Sequence, residues 1–198
     1  MIIGIVSCSK KKLPVPAPAF LLYSASPRFA QAYIAAKQEC SRVLILSAKY
    51  MLVEPHSILK PYELVLSELR EEERDEWHNQ VLQQLRDTLD SATPIRLYVS
   101  EQYSKVFEGR TNVTRPYPSG FFTQATAIGK RGSIKQIDWP MWWLLERIQV
   151  EGIAEFEQVK KWCAEKGYMP ATQDAQAHRV LNCPLYSRSG KMVKVQYK

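Results

Sequence analysis

The sequence lacks any apolar run that approaches the roughly 18 residues of a membrane-spanning helix. It carries only four cysteines and three histidines, with no Cys-x-x-Cys pair and no histidine at ligand spacing from a cysteine, a pattern that argues against a disulfide framework and against a zinc site. The short apolar N-terminus has neither a basic leader nor a small-residue cleavage site, which favours a strand over a signal peptide. We therefore expect a reduced cytoplasmic protein with no metal, no organic cofactor, no membrane association and no obligate protein partner.

Acidic residues are scarce in two stretches of a chain whose overall composition, 45% hydrophobic and 24% charged, is typical of a globular protein. Residues 101–135 hold six Lys or Arg against two Glu, and no acidic residue follows Asp174, where five basic residues remain. The acids concentrate instead in residues 68–76. With a formal charge of +7, this distribution predicts one acidic helix face and a basic surface that suits a polyanion such as nucleic acid.

Short β-branched runs alternate with amphipathic stretches through the first three quarters of the chain. This alternation predicts an α/β fold with an open, mostly parallel sheet flanked by helices. Pro27, with Ser26 as its cap, suits the first turn of a helix. The predicted strands are 2–7, 43–46 and 95–99, and the main predicted helices are 27–40, 64–90 and 139–149.

The character of the sequence changes near residue 150. Residues 155–167 form an amphipathic stretch, residues 171–181 read as a second helix capped by Thr172, and Ser189-Gly190 separates two strand-like runs. We therefore predict an α/β catalytic domain over 1–150 and a small basic helix-helix-hairpin appendage over 151–198. That outline fits a winged helix and equally fits a small packing appendage.

Polar side chains follow the first two predicted strands at the points where those strands end. Cys8-Ser9-Lys10 follows the first strand, and Ser47-Ala48-Lys49-Tyr50 follows the second. Ligands of open parallel sheets bind outside the carboxyl ends of the strands, and small polar groups beside an ammonium suit an anion or the edge of a base. Each segment alone also fits a strand that stops in a solvated loop, but the two together favour a binding site.

The long loop over residues 51–63 carries further candidates. Glu63, after Tyr62, could activate water or support a cationic sugar, and His56 could polarise a leaving base; ordinary turn and cap residues are the alternative. Cys8 has no histidine partner fixed by the sequence, which disfavours covalent catalysis. The aromatic and proline residues of 116–122 stand in a basic context that suits stacking on bases, or they fill the core.

Four segments together resemble a bacterial and phage family that carries a Cys-Ser-x-x-Lys element and a Leu-Ser-Ala-Lys-(Tyr/His)-Gly-Leu element. They are Val6–Lys10, Leu22–Phe29, Leu46–Val53 and Pro61–Glu63. The family is similar to the peroxide-stress protein family YaaA, to the lyase domain of archaeosine synthase and to uracil-DNA-glycosylase-like proteins. A phage-defence glycosylase for glucosylated hydroxymethylcytosine resembles the same group. The resemblance covers residues 3–65 well and reaches weakly to about 135.

Two departures from these relatives bear on the site. Met51 stands where the family carries Gly, so a backbone that needs a positive φ there would be strained, and we expect a loop of different shape. The Gly-Gln-Asp-Pro-Tyr motif of the uracil enzymes is absent. The carboxylate that orients water would therefore come from another position, for which Glu63 is our candidate.

Charge, strand-end placement and resemblance together imply a DNA glycosylase that flips a modified pyrimidine nucleotide out of duplex or single-stranded DNA. An enzyme that modifies a nucleotide or RNA base, and a non-catalytic nucleic-acid-binding stress or defence module, are the alternatives. The implied catalytic residues are Glu63, Lys49 and His56. The implied substrate-binding residues are Cys8, Ser9, Lys10, Ser47, Tyr50 and Tyr62. The implied contacts to the nucleic-acid backbone are Lys11, Arg115, Lys130, Arg131 and Lys191.

Overall fold

The computed structural model describes residues 1–116, 139–183 and 186–195, with residues 139–142 described in backbone only. The chain divides into two compact units. The first unit comprises Met1–Lys12 and Ala17–Lys135, and the second comprises Leu13–Pro16 and Gln136–Lys198. This division differs from the predicted boundary at residue 150, because it assigns the helix Trp139–Glu151 to the second unit. No helix in the described part of the chain is long and apolar enough to cross a membrane.

The first unit contains seven strands and four α-helices within its described residues. The strands are β1 (Ile3–Ser7), β2 (Ala17–Pro18), β3 (Arg42–Ser47), β4 (Met51–Val53), β5 (Ile58–Leu59), β6 (Ile95–Tyr98) and β7 (Val113–Thr114). The helices are α1 (Ala19–Leu22), α2 (Pro27–Glu39), α3 (Glu71–Thr88) and α4 (Glu101–Ser104), with 3-10 turns at Leu66–Glu68 and Lys105–Phe107.

A five-stranded sheet in the order β4-β3-β1-β6-β7 forms the framework of the first unit. Strands β3, β1, β6 and β7 run parallel, and only the edge strand β4 is antiparallel to its neighbour. Because β1 pairs with a strand on each side, all five of its residues are buried, as expected for the apolar strands of a parallel sheet. The predicted α/β class with a mostly parallel sheet is confirmed.

Helices cover both faces of this sheet, because residues of β1 alternate between them. Ile3 and Ile5 belong to the same core cluster as Val81 and Leu85 of α3. On the opposite face α2 packs closely on Gly4, where an added Cβ would lie 3.1 Å from Cys40 Sγ. This central strand therefore ends at Ser7 between two packed layers, and the residues after it emerge at one edge of the sheet.

Helix α2 begins as the sequence predicts, with Pro27 in its first turn after Ser26. Ser26 is the N-cap residue, as predicted, but its side chain makes no capping hydrogen bond. The first turn of α2 lies beside the residues that follow β1 and β6. The positive end of the helix dipole there favours an anion.

The loop predicted over residues 51–63 contains two short strands. β4 forms a tight hairpin with β3, in which Met51 pairs with Ser47. Met51 is the one non-glycine residue with a positive φ, 54°, among those described. Met51 therefore adopts the left-handed conformation that favours glycine, and a loop shape different from that of the relatives that carry Gly stays a prediction.

The second unit contains three helices and a three-stranded antiparallel sheet in its described residues. The helices are α5 (Trp139–Glu151), α6 (Phe156–Glu165) and α7 (Pro170–Leu181), and the strands are β8 (Ile153–Glu155), β9 (Tyr186–Ser189) and β10 (Met192–Val195). The predicted helix-helix-hairpin order is present. Thr172 is not the cap, because α7 begins two residues earlier, after Met169.

Candidate functional site

A buried group of hydroxyls lies where β3 ends. Ser47, the last residue of β3, is fully buried, and its Oγ accepts hydrogen bonds from the backbone N–H groups of Lys49 (3.2 Å) and Tyr50 (3.0 Å). The Tyr23 hydroxyl donates to the same Oγ at 3.1 Å, and the Tyr62 hydroxyl lies 2.8 Å from it. One serine therefore joins the end of a strand, the turn after it and two distant tyrosines.

The two tyrosine hydroxyls also contact each other and extend the group toward β1. The Tyr23 and Tyr62 oxygens are 3.0 Å apart, and the Tyr62 hydroxyl donates to Cys8 Sγ at 3.6 Å. On its other side Cys8 Sγ lies 3.2 Å from the Tyr103 hydroxyl. Ser47, Tyr23, Tyr62, Cys8 and Tyr103 thus form one connected network, which we call the hydroxyl cluster.

Burial sets the protonation of the tyrosines in the hydroxyl cluster. Burial raises the pKa of Tyr23, Tyr62 and Tyr103, since an ionised phenol loses its hydration there, and the nearby Cys8 thiol, once ionised, raises each pKa further. All three hydroxyls are therefore neutral at physiological pH. In that state they are hydrogen-bond donors and acceptors.

Two lysines lie against the aromatic wall of the hydroxyl cluster. Lys12 Nζ sits 4.1 Å from the Tyr62 ring centroid, and Lys49 Nζ is 5.7 Å from the same centroid and 5.5 Å from that of Tyr50. All three distances fall within the range of cation–π attraction. Burial lowers the pKa of Lys12, and the opposing attraction of Cys8 and Glu63 only partly offsets this.

An open cleft of about 600 Å³ adjoins the hydroxyl cluster at the carboxyl ends of β1 and β6. Its wall combines the loop after β1, the first turn of α2 and the end of β6. The lining residues are Ser7, Cys8, Ser9, Lys10, Lys11, Ser26, Pro27, Arg28, Ser100 and Tyr103. Three cations and a helix N-terminus make this cleft strongly attractive to an anion such as phosphate.

The predicted substrate-binding residues divide between the cleft and the hydroxyl cluster. Cys8, Ser9 and Lys10 line the cleft, whereas Ser47 and Tyr62 lie buried in the hydroxyl cluster. The Ser9 hydroxyl donates to the carbonyls of Lys11 (2.5 Å) and Tyr23 (3.2 Å), so it holds the loop in shape. Tyr50 packs edge-on against Tyr62 at 5.4 Å and donates its hydroxyl to the Lys60 carbonyl.

The three predicted catalytic residues are not brought together. Glu63 is exposed and within electrostatic reach of Lys12, but it does not line the cleft. His56 is exposed on its loop and contacts the ring of Phe20, with centroids 5.4 Å apart. Lys49 alone of the three stands beside the hydroxyl cluster.

The predicted backbone contacts are also dispersed. Lys11 lines the cleft, Arg115 is half-buried after β7, and Lys191 is exposed in the β9–β10 hairpin of the second unit. Lys130 and Arg131, like most of the aromatic stretch 116–122, fall outside the described residues. Within the described part of the chain, no group of three or more His, Cys, Asp or Glu is placed to hold a metal ion.

Sequence reasoning missed three residues of the site, Tyr23, Lys12 and Arg28, and each has a sequence signal. Tyr23 and Arg28 lie inside the Leu22–Phe29 segment that carried the resemblance, and Lys12 ends the lysine run after β1. Tyr103 belongs to the segment Ser100–Tyr103, which follows the third strand and which the strand-end rule places at the same crevice.

The fold and site define an α/β protein with a basic cleft at the carboxyl edge of a mostly parallel sheet. Residues 3–131 match the model of a family described as "Family of unknown function (DUF6884)", and the chain belongs to that family. Comparisons with curated proteins and with solved structures found no match. The matched region spans the hydroxyl cluster and the cleft and ends before the second unit's main stretch.

Proposed function

We propose that this protein is a DNA glycosylase that binds one extruded nucleotide in the cleft and hydrolyses the N-glycosidic bond of a modified pyrimidine. The observation that carries the proposal is the cleft itself, which is lined by the basic residues Lys10, Lys11 and Arg28 and by Cys8 and Tyr103. A volume of about 600 Å³ lies within the usual range for small-molecule sites. The phosphate of the flipped nucleotide occupies the basic side, and the base lies toward the neutral hydroxyls.

The framework that supports the cleft is consistent with a uracil-DNA-glycosylase-like arrangement. In both, a parallel sheet presents the ends of adjacent strands to the ligand. Here Cys8 follows β1, the central strand, and Tyr103 follows β6 beside it. The Cys8–Tyr103 contact of 3.2 Å gives the base a polar wall in which the donor can be either group. A hydrogen bond from that wall to a carbonyl of the base strengthens as the base leaves with negative charge.

The reaction exchanges one bond for another. The bond from C1′ to the base nitrogen breaks, and its electron pair leaves with the base. The oxygen of a water molecule bonds to C1′, and the proton released by that water neutralises the base. Lys49 stabilises the departing charge, and Glu63, which is exposed and within electrostatic reach of Lys12 beside the Tyr62 ring, orients the water.

The test is base release from DNA of defined content. Duplexes carrying normal cytosine, uracil, hydroxymethylcytosine or glucosylated hydroxymethylcytosine are incubated with the protein, treated with alkali and analysed for strand breaks at abasic sites. We expect breaks on one modified substrate alone, lost in Glu63→Gln and Lys49→Ala. Glu72→Gln, an exposed position on α3, is the matched control and keeps full activity. Breaks that persist in Glu63→Gln would overturn the role of that carboxylate.

A second function, a non-catalytic nucleic-acid-binding module, is favoured by one observation. None of the ten residues that line the cleft is Asp or Glu, and hydrolysis of glycosidic bonds ordinarily uses carboxylates. This alternative predicts no breaks on any of the four substrates, together with DNA binding that weakens steeply with salt. Base release by the wild-type protein excludes it.

A further inference from the structure

The second unit has the connectivity of a winged-helix domain. Its elements follow the order helix α5, strand β8, helices α6 and α7, and hairpin β9–β10. The sheet order is β8-β10-β9, so the last strand lies between the first strand and its own hairpin partner, and both pairings are antiparallel. This connectivity places two consecutive helices beside a hairpin that can act as the wing.

The turn between α6 and α7 has the form found in helix-turn-helix motifs. It spans residues 166–169, and Gly167 adopts a positive φ of 82°. The Gly167 N–H donates to the Ala164 carbonyl at 2.8 Å, and the Tyr168 N–H donates to the Cys163 carbonyl at 3.1 Å, which is the Schellman pattern that ends a helix sharply. Helix-turn-helix motifs join their two helices by such short, glycine-containing turns.

Helix α7 occupies the position of a recognition helix and has one face free of the core. It packs on the unit through Ala177, Val180 and Leu181, which are buried. The opposite face is exposed and includes Ala171 and Ala175 one turn apart. Small side chains there let the helix approach another surface closely.

Basic residues lie in the segment beside this face. The one acidic residue of α7, Asp174, pairs with the Lys160 ammonium at 2.9 Å, and no acidic residue follows it in the sequence. In the hairpin, Arg188 is held by hydrogen bonds from Nη1 to Asn182 Oδ1 (2.8 Å) and from Nε to the Gly190 carbonyl (3.0 Å). Lys191 at the hairpin turn is exposed. The segment after Asp174, which includes the end of α7 and the hairpin, thus carries basic and no acidic side chains.

We propose that the second unit is a winged-helix module that binds duplex DNA. Helix α7 lies in the major groove with Ala171 and Ala175 toward the base edges, and the hairpin places Arg188 and Lys191 against the phosphate backbone. The proposal goes beyond base excision, since it needs neither the cleft nor the hydroxyl cluster. It also assigns the helix-helix-hairpin segment to nucleic-acid contact and not to packing alone.

The test is equilibrium binding of the full chain to a fluorescently labelled, unmodified DNA duplex over a series of salt concentrations. Lys191→Ala is compared with Lys161→Ala, a matched exposed lysine on α6. Loss of one phosphate contact lowers the slope of log K against log salt by about 1. We expect that change for Lys191→Ala and none for Lys161→Ala.

A second pair of variants tests the helix. Ala175→Glu and Ala175→Lys change one exposed position in opposite directions, and Ala164→Glu at an exposed position of α6 is the control. We expect Ala175→Glu to weaken binding at least about 10-fold, Ala175→Lys to preserve or strengthen it, and Ala164→Glu to leave it within about 2-fold. Circular dichroism confirms that the variants are folded.

The outcomes separate this proposal from the proposed glycosylase. Equal effects at 175 and 164, or at 191 and 161, would overturn the winged-helix assignment and leave base release untouched. Tighter binding of a duplex RNA competitor than of the DNA would overturn it as well. Conversely, a protein that shows the expected differences but releases no base binds DNA through this unit without being a glycosylase.

Discussion

The Ser47 Oγ and the Tyr62 hydroxyl oxygen lie 2.8 Å apart in the interior of the first unit, although 15 positions separate the two residues in the chain. The contact joins the end of β3 to the loop that carries Glu63. Because Ser47 Oγ also accepts the N–H groups of Lys49 and Tyr50, one side chain sets the position of a turn, a lysine and a loop. The geometry of the site therefore depends on a residue that does not line the cleft.

Replacing Ser47 by alanine is expected to lower the free energy of unfolding by about 2–4 kcal/mol. The substitution leaves two backbone N–H groups and two tyrosine hydroxyls without their shared partner, and a buried polar group left unpaired costs about 1–3 kcal/mol. Urea denaturation followed by fluorescence measures the change. Ser67→Ala, at an exposed position, should stay within about 0.5 kcal/mol of wild type; equal losses for both variants would contradict the role given to Ser47.

Arg28→Ala is expected to weaken DNA binding and to reduce its salt dependence. Arg28 lines the cleft at the first turn of α2, where one lost phosphate contact lowers the slope of log K against log salt by about 1. Titration of labelled DNA at several salt concentrations gives that slope. Arg86→Ala on the exposed side of α3 removes the same charge away from the cleft and should leave the slope unchanged. The same slope in both variants would show that DNA does not enter the cleft.

At position 51 we expect the glycine variant to be more stable than the alanine variant, which is the reverse of the usual order. Both Met51→Ala and Met51→Gly remove the same packing, but only glycine adopts the φ of 54° without strain. A left-handed non-glycine residue costs roughly 1–2 kcal/mol, so the glycine variant should have the higher free energy of unfolding by about 1 kcal/mol. Paired denaturation curves measure this difference. An alanine variant more stable than the glycine variant would mean that the backbone relaxes at this position.

Stability is expected to fall as the pH rises above about 10. In the unfolded chain Tyr23, Tyr62 and Tyr103 ionise near the ordinary tyrosine pKa of 10.0, whereas burial raises the pKa of each in the folded protein. The folded state then holds more protons than the unfolded state, so the stabilisation is complete below pH 10 and is lost progressively above it. Thermal unfolding between pH 8 and 11 measures the decline. Tyr23→Phe, which keeps the ring, should make the decline shallower; an unchanged pH dependence in that variant would contradict the link to the hydroxyl cluster.

The parts of this structure that could be predicted from sequence are those set by local pattern. The strand over 2–7 and the helix over 27–40 follow from β-branched runs and from Pro27, and the structure places them at Ile3–Ser7 and Pro27–Glu39. The basic segment after β1 follows from the rule that ligands bind at strand ends. These inferences depend only on residues that are close to one another in the sequence.

The parts that could not be predicted depend on contacts between distant residues. Tyr23 and Tyr103 enter the hydroxyl cluster because the end of α1 and helix α4 bring their hydroxyls to Ser47 and Cys8, and local sequence does not predict these contacts between distant residues. Glu63 looked suited to catalysis by its type and by its place on the loop, yet its side chain is exposed and lies outside the cleft. At Met51 the pairing of β4 with β3 imposes a positive φ, although a methionine prefers a negative one.

The short segment Leu13–Pro16 belongs to the second unit even though it lies between the lysine run after β1 and the strand β2. The Gln149 side chain of α5 donates to the Pro16 carbonyl at 2.6 Å. The second unit is therefore assembled from two separate pieces of the gene. Recombination that exchanges only the C-terminal third of the chain would transfer the second unit without Leu13–Pro16. We therefore expect the two units to be inherited together and not exchanged separately.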